Sequence, residues 1–187
     1  MPGLASRIIA ALLLFGAAPL LGAIALIVLI GLGRPVLFVQ TRSGLNQQPF
    51  RLYKFRTMTS ERTRDGRILS DAERTPPVGR FLRRIRADEL LGLVNVVRGE
   101  LALVGPRPLL PETLHAMGEL GRRRARVAPG ITGWAQINGN ALLTNDQKFA
   151  LDLWYIENRS LLLDARIVVT TIVVALLGER IFYRHSV

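Results

Sequence analysis

Residues 83–108 read RRIRADELLGLVNVVRGELALVGPRP. A basic stretch ends at Arg86. An acidic pair, Asp88-Glu89, follows, then an apolar run that stops at Gly99. A short apolar segment, Leu101–Val104, leads into Gly105-Pro106-Arg107-Pro108. Asp is favoured at a helix start because its carboxylate accepts from first-turn amides that lack a partner. Gly is favoured just past the last turn. The stretch therefore predicts a helix from Asp88 to Gly99, with the positive end of its dipole keeping Asp88 ionised. Two prolines fix the backbone around Arg107, so the turn offers one guanidinium from a rigid frame, which suits a phosphate. These residues alone leave two readings open. Asp88 and Glu89 are a helix cap and its first-turn helper, or a reactive carboxylate and its partner. Arg107 faces solvent, or it clamps an anion.

Upstream, Thr75-Pro76-Pro77 marks a helix start with Thr as cap, and Val78 to Arg86 is the helix. Ser60 to Thr75 is polar and contains Asp65-Gly66, which predicts a mobile loop. Val36–Val39 and Phe50–Phe55 have strand character and are joined by the polar Thr41–Gln48, a small hairpin. Strand alternation puts Lys54 and Arg56 on one face, toward a pyrophosphate, a lipid headgroup or solvent. Downstream, Pro111 to Arg126 predicts one basic helix closed by Pro129-Gly130. Its Arg126 reaches a nucleotide or lipid phosphate, or belongs to a surface cluster. Trp134 reads as packing and His115 as a surface residue. Asn145 to Asn158 has helical spacing. Leu161 to Gly178 is mostly apolar but short for a crossing, and predicts a helix in the membrane interface or on the core.

The N-terminal part is different. Ile8 to Gly33 carries no charge over 26 residues, enough for a membrane helix and longer than the roughly 7–15 apolar residues of a secretory leader. Pro19 removes an amide donor mid-segment, so it kinks or breaks the helix. A kinked crossing and a broken helix that enters and leaves on one face are both open at this point.

The formal net charge is +11, and only Arg7 is charged before residue 34. A basic body beyond an apolar segment suits an anionic partner: a nucleotide phosphate, nucleic acid or an acidic membrane surface. Arg exceeds Lys by 23 to 2, which fits bidentate phosphate contacts or genome composition. The chain has no Cys and two His, so disulfides and thiolate sites are excluded and a His-rich metal centre is not expected.

The motifs, in order, resemble those of the monotopic phosphoglycosyl transferases, the bacterial sugar transferases. The match runs through Gly33-Arg34-Pro35-Val36-Leu37-Phe38-Val39-Gln40, Arg42, Gly44, Tyr53-Lys54-Phe55-Arg56-Thr57-Met58, the stretch above, Pro129-Gly130-Ile131-Thr132-Gly133-Trp134-Ala135-Gln136 and Leu163-Asp164. It covers nearly the whole chain. The resemblance implies an α+β membrane-associated fold. Residues 1–33 would form a re-entrant membrane helix broken at Pro19. Residues 34–187 would form a catalytic domain on the cytoplasmic face of the bacterial inner membrane, with a small strand hairpin and short, interfacial helices around the site. It implies transfer of a sugar-1-phosphate from a UDP-sugar to a polyprenol phosphate, starting surface-glycan synthesis. Asp88 matches the family's nucleophile, which forms a covalent phospho-sugar enzyme. Glu89 matches the acidic residue that ligates Mg²⁺. Lys54, Arg56, Arg107 and Arg126 would bind substrate phosphates, with Pro106 and Pro108 shaping the site. Membrane lipids are expected partners, a second copy of the chain is an optional one, and nucleic acid is not expected. The chain departs from the family in three places. Ala18 precedes Pro19 where Ser is usual. Arg86-Ala87 precede the dyad where Ser-Leu is usual. Leu90-Leu91-Gly92-Leu93 follow it where Leu-Pro-Gln-Leu is usual.

Two other functions compete. A membrane-tethered basic docking module without catalysis explains the charge and the apolar segment, but not the ordered Gly, Pro and acidic motifs. A two-metal nucleotidyl transferase needs several dispersed carboxylates, and only Asp88-Glu89 stand in a convincing context.

Overall fold

The computed structural model describes residues 3–60, 66–67 and 69–177. Helix α1 (Leu4–Leu32) takes up the apolar N-terminal segment, about 43 Å at 1.5 Å per residue. The expected interruption is not seen in its backbone: the helix continues through Pro19 and ends at Gly33. Most of its surface is apolar and exposed. Ala10, Leu14, Leu21, Ile24, Ala25, Val28 and Leu32 form one stripe that packs against the rest of the molecule. Both ends are pinned. Arg7 Nε donates to the Val97 carbonyl at 2.9 Å. Arg56 donates to the carbonyls of Leu32 and of Gly33, the latter at 2.8 Å. A cation at the last carbonyls also meets the negative end of the helix dipole.

The hairpin is β1 (Leu37–Ser43) and β2 (Pro49–Phe55), antiparallel, with Leu37 opposite Phe55 and Ser43 opposite Pro49. The region expected to be loop contains a one-turn helix, α2 (Asp71–Arg74). It forms because Ser70 and Glu73 make a capping box; residues 61–65, Asp65 among them, lie outside the described residues. Helix α3 is Pro77–Arg84. Thr75 does not cap it; its hydroxyl donates to the Asp71 carbonyl at 2.5 Å.

The expected Asp88–Gly99 helix is divided. Ala87–Glu89 form a 3₁₀ turn, and α4 runs only from Gly92 to Arg98, closed by Gly99 at φ 81°. Buried Asn95 locks α4 to β2: its Nδ2 donates to the Arg51 carbonyl at 2.7 Å and its Oδ1 accepts from the Tyr53 amide at 3.3 Å. The single helix expected over Pro111–Arg126 is two, α5 (Pro111–Ala116) and α6 (Glu119–Arg124). Gly118 turns the chain between them at φ 55°. Exposed His115 lies on α5.

Strands β3 (Ala102–Val104) and β4 (Gly130–Thr132) pair in parallel, with Val104 opposite Thr132. This pairing explains the glycines around the Pro-Arg-Pro turn. A Cβ at Gly133 would sit 2.1 Å from the Gly105 carbonyl oxygen, and one at Gly130 would sit 2.1 Å from the Gly105 nitrogen. Only hydrogen fits at those contacts.

After a short α7 (Trp134–Ile137), α8 (Asn145–Asn158) starts at a Thr144–Gln147 capping box, and α9 runs Leu161–Leu177. Helix α9 buries Ile167 and Val174 beside Val104, Ile137 and Tyr155. Its opposite face exposes Leu162, Val169, Ile172 and Leu176. Tyr155 donates to Asp164 at 2.7 Å, so Asp164 ties α9 to α8. Trp134 stacks on Trp154 with centroids 4.9 Å apart; it packs, as expected.

Candidate functional site

Side chains from β1, β2, the 56–60 segment, α2, α3, the dyad turn and the Pro-Arg-Pro turn face one cavity of about 700 Å³. Five of the expected site residues line it: Lys54, Arg56, Asp88, Glu89 and Arg107. Pro106 and Pro108 are buried behind Arg107. Arg126 is exposed and is not on the lining. Pro19 is exposed on α1.

Four further cations line the cavity: Arg42, Arg74, Arg83 and Arg86. Arg83 donates to the Thr57 hydroxyl at 2.9 Å, and Arg74 pairs with Asp71 at 2.7 Å. Among 23 arginines no composition signal separates these four. Position does for two of them: Arg42 follows Gln40 by two on β1, and Arg83 stands just over one helical turn before the dyad.

The two carboxylates have opposite surroundings. Glu89 Oε1 accepts from Lys54 Nζ at 2.7 Å and from Arg107 Nη2 at 2.7 Å. Burial opposes ionisation of Glu89, but the charges and hydrogen bonds of Arg107 and Lys54 outweigh it and hold the carboxyl at about 2. Asp88 is 8% exposed, and among the described residues its carboxylate makes no ion pair. Burial first, then the charge of Glu89, push it up to about 6. This reverses the expectation of a helix start that stabilises the anion. Asp88 sits inside a 3₁₀ turn, and the first residue of α4 comes four positions later. At neutral pH Asp88 is still mostly ionised, yet poorly solvated. A desolvated carboxylate of this kind can act as a nucleophile.

Arg86 enters the turn at φ 55°, a left-handed conformation uncommon for a residue with a side chain. Its guanidinium donates to the Gln136 carbonyl at 3.3 Å. The strained residue sits two positions from Asp88, where departures from regular backbone concentrate at functional sites.

Residues 3–178 match the family model described as "Bacterial sugar transferase". A Bacillus subtilis (strain 168) protein named as an uncharacterized sugar transferase, EpsL, is 48% identical over 83% of this chain and 77% of its own. An undecaprenyl-phosphate glucose phosphotransferase of Komagataeibacter xylinus is 44% identical over 86% of this chain. The UDP-glucose:undecaprenyl-phosphate glucose-1-phosphate transferase of Escherichia coli (strain K12) is 37% identical over 88% of it. The chain spans only 33% and 38% of those two longer relatives. A family match over residues 3–178, together with these relatives, places the chain in the bacterial sugar transferase family.

Proposed function

We propose that this chain transfers a sugar-1-phosphate from a UDP-sugar to a polyprenol phosphate through a covalent intermediate on Asp88, the entry step of a surface glycan. One observation carries it. A buried carboxylate that makes no direct ion pair among the described residues, raised to about 6, stands in an arginine-rich cavity beside a second carboxylate that two cations keep ionised. In the first half, an Asp88 oxygen bonds to the sugar-bearing phosphorus and that phosphorus loses its bond to the bridging oxygen. UMP departs with the electron pair. In the second half, a phosphate oxygen of the polyprenol attacks the same phosphorus and Asp88 leaves as carboxylate. The product is a polyprenyl diphospho-sugar. Fixed guanidiniums around the cavity match the charge that builds on the departing phosphate.

A divalent cation fits the donor set. Among the described residues Glu89 Oε2 has one long contact, to Arg107 at 3.4 Å, which leaves a hard oxygen donor for a cation beside Asp88. Among the described residues no group of three or more metal-ligating side chains exists. That suits Mg²⁺, which takes one or two carboxylates and fills its sphere with phosphate oxygens and water. Glu89 would hold it, and it would neutralise diphosphate charge.

Because α1 keeps helical backbone through Pro19, its proposed re-entry is placed at a bend of a continuous helix rather than at a break, with the body on the cytoplasmic face of the inner membrane. Its contact stripe runs from Ala10 to Leu32, and Arg7 is tied to Val97. A crossing α1 would drag the end of α4 through the bilayer, with Arg98 and Glu100 beside it. The basic body favours the cytoplasmic side. The test uses the absence of native Cys. Ala5→Cys in intact cells should resist a membrane-impermeant maleimide until permeabilisation; labelling from outside would refute re-entry. The catalytic proposal is tested by UMP release from UDP-sugar without acceptor, expected at up to one equivalent per enzyme.

A further inference from the structure

The backbone of the Pro-Arg-Pro turn is held by two arginines. Arg42 Nη1 donates to the Pro108 carbonyl at 3.3 Å. Arg124 Nη2 donates to the Arg107 carbonyl at 2.6 Å. Arg124, at the end of α6, is anchored in turn: its Nε and Nη2 reach Asp152 Oδ2 on α8 at 2.8 and 2.7 Å. Both side chains of that pair are about 5% exposed or less, 5% and 4%. Neither lines the cavity. Asp152 thus stands two contacts from Arg107, whose own guanidinium meets Glu89.

A buried ion pair is a poor device for stability alone, because desolvating two charges offsets their attraction. Here the pair also delivers a spare donor to one backbone carbonyl of the residue that must be placed. Arg is suited to that task, since its planar fork serves the carboxylate and the carbonyl at once. We propose that Arg124 and Asp152 are positioning residues: they fix the Arg107 backbone, and through it the guanidinium that Glu89 and the substrate share. The inference rests on the transfer reaction proposed above only where turnover is the readout. Positioning lowers a barrier by removing the search for the productive geometry, so its loss falls on kcat more than on KM.

The test replaces the pair with apolar side chains, Arg124→Met with Asp152→Leu, a change that buried pairs commonly tolerate. If this variant does not fold, Arg124→Lys keeps the charge opposite Asp152 and loses the fork. Sugar-phosphate transfer is measured for the variant, for Arg107→Ala and for their combination. The Arg107 guanidinium is followed by nitrogen NMR in detergent, its signal assigned by its loss in Arg107→Ala. The expected result is a 10- to 100-fold fall in kcat in the wild-type background. In the Arg107→Ala background the further loss should be less than twofold. Independently of turnover, the Arg107 guanidinium signal should shift or broaden in the variant, because its backbone is no longer held by Arg124. An equal fold-loss in both backgrounds, or an unmoved Arg107 signal in a folded variant, overturns the inference. If the wild-type chain transfers nothing from any UDP-sugar, the proposed function fails, while the Arg107 signal still decides the positioning.

Discussion

Replacing Asp88 by asparagine should make the protein more stable while ending its chemistry. The Asp88 carboxyl is raised from 3.8 to about 6. About two pKa units at 1.36 kcal/mol each amount to roughly 3 kcal/mol. The sign follows from linkage. A carboxyl whose folded value is raised is disfavoured in its ionised form, so its cost is absent below about pH 4 and complete above about pH 6–7. An amide still has to be buried, which trims the gain to about 2–3 kcal/mol. For a domain of this size that is a rise in Tm of about 4–12 °C. The assay is thermal unfolding in detergent with chelator present, followed by fluorescence of the stacked Trp134–Trp154 pair. Wild type and Asp88→Asn should converge near pH 4 and separate as pH rises to 8. A variant no more stable than wild type at pH 8, or a gain independent of pH, would refute the electrostatic reasoning.

The neighbouring change should act the other way. Glu89→Gln leaves Lys54 and Arg107 converging on a neutral amide, so stability should fall by about 2–4 kcal/mol at neutral pH. Because Glu89 is held at about 2, its contribution is present above about pH 4.5 and fades as pH falls toward 2. The wild-type advantage over the variant should shrink in acid melts. Turnover in wild type should vanish with EDTA and return with Mg²⁺, and Glu89→Gln should need more metal; full activity in chelator would remove the metal from the scheme. Gly133→Ala places a Cβ 2.1 Å from the Gly105 carbonyl oxygen. It should displace the Pro-Arg-Pro turn and cut activity at least 100-fold, whereas Gly16→Ala, with open space around it, should change activity less than twofold.

Much of the site was legible because it is local. Lys54, Asp88, Glu89 and Arg107 lie in short motifs, and each faces the cavity. What the sequence concealed depends on contacts between distant segments. Asp88 resembles a helix cap in one dimension. In three, Leu90 and Leu91 pack into the cluster of Phe55, Leu82 and Ala87, and the regular helix waits until Gly92. Arg56 looked like Lys54's partner on one strand face, yet its guanidinium donates to the carbonyls that end α1. Arg126 stands beside a basic cluster whose buried member is Arg124, and burial is invisible in a run of arginines. The Arg124–Asp152 pair joins residues 28 apart in sequence, and no local pattern announces it. The N-terminal segment was recognisable by its apolar length. Its stripe of Ala10, Leu14, Leu21, Ile24 and Val28 became meaningful only when a partner surface was seen along the whole helix.

The most direct measurement is the mass of the enzyme after exposure to a UDP-sugar without acceptor. The proposed chemistry predicts an added sugar-phosphate on the peptide containing Asp88, loss of the adduct when polyprenol phosphate is supplied, and no adduct in Asp88→Asn. An unmodified enzyme that forms UMP only when the acceptor is present, or an adduct on a different residue, would contradict it.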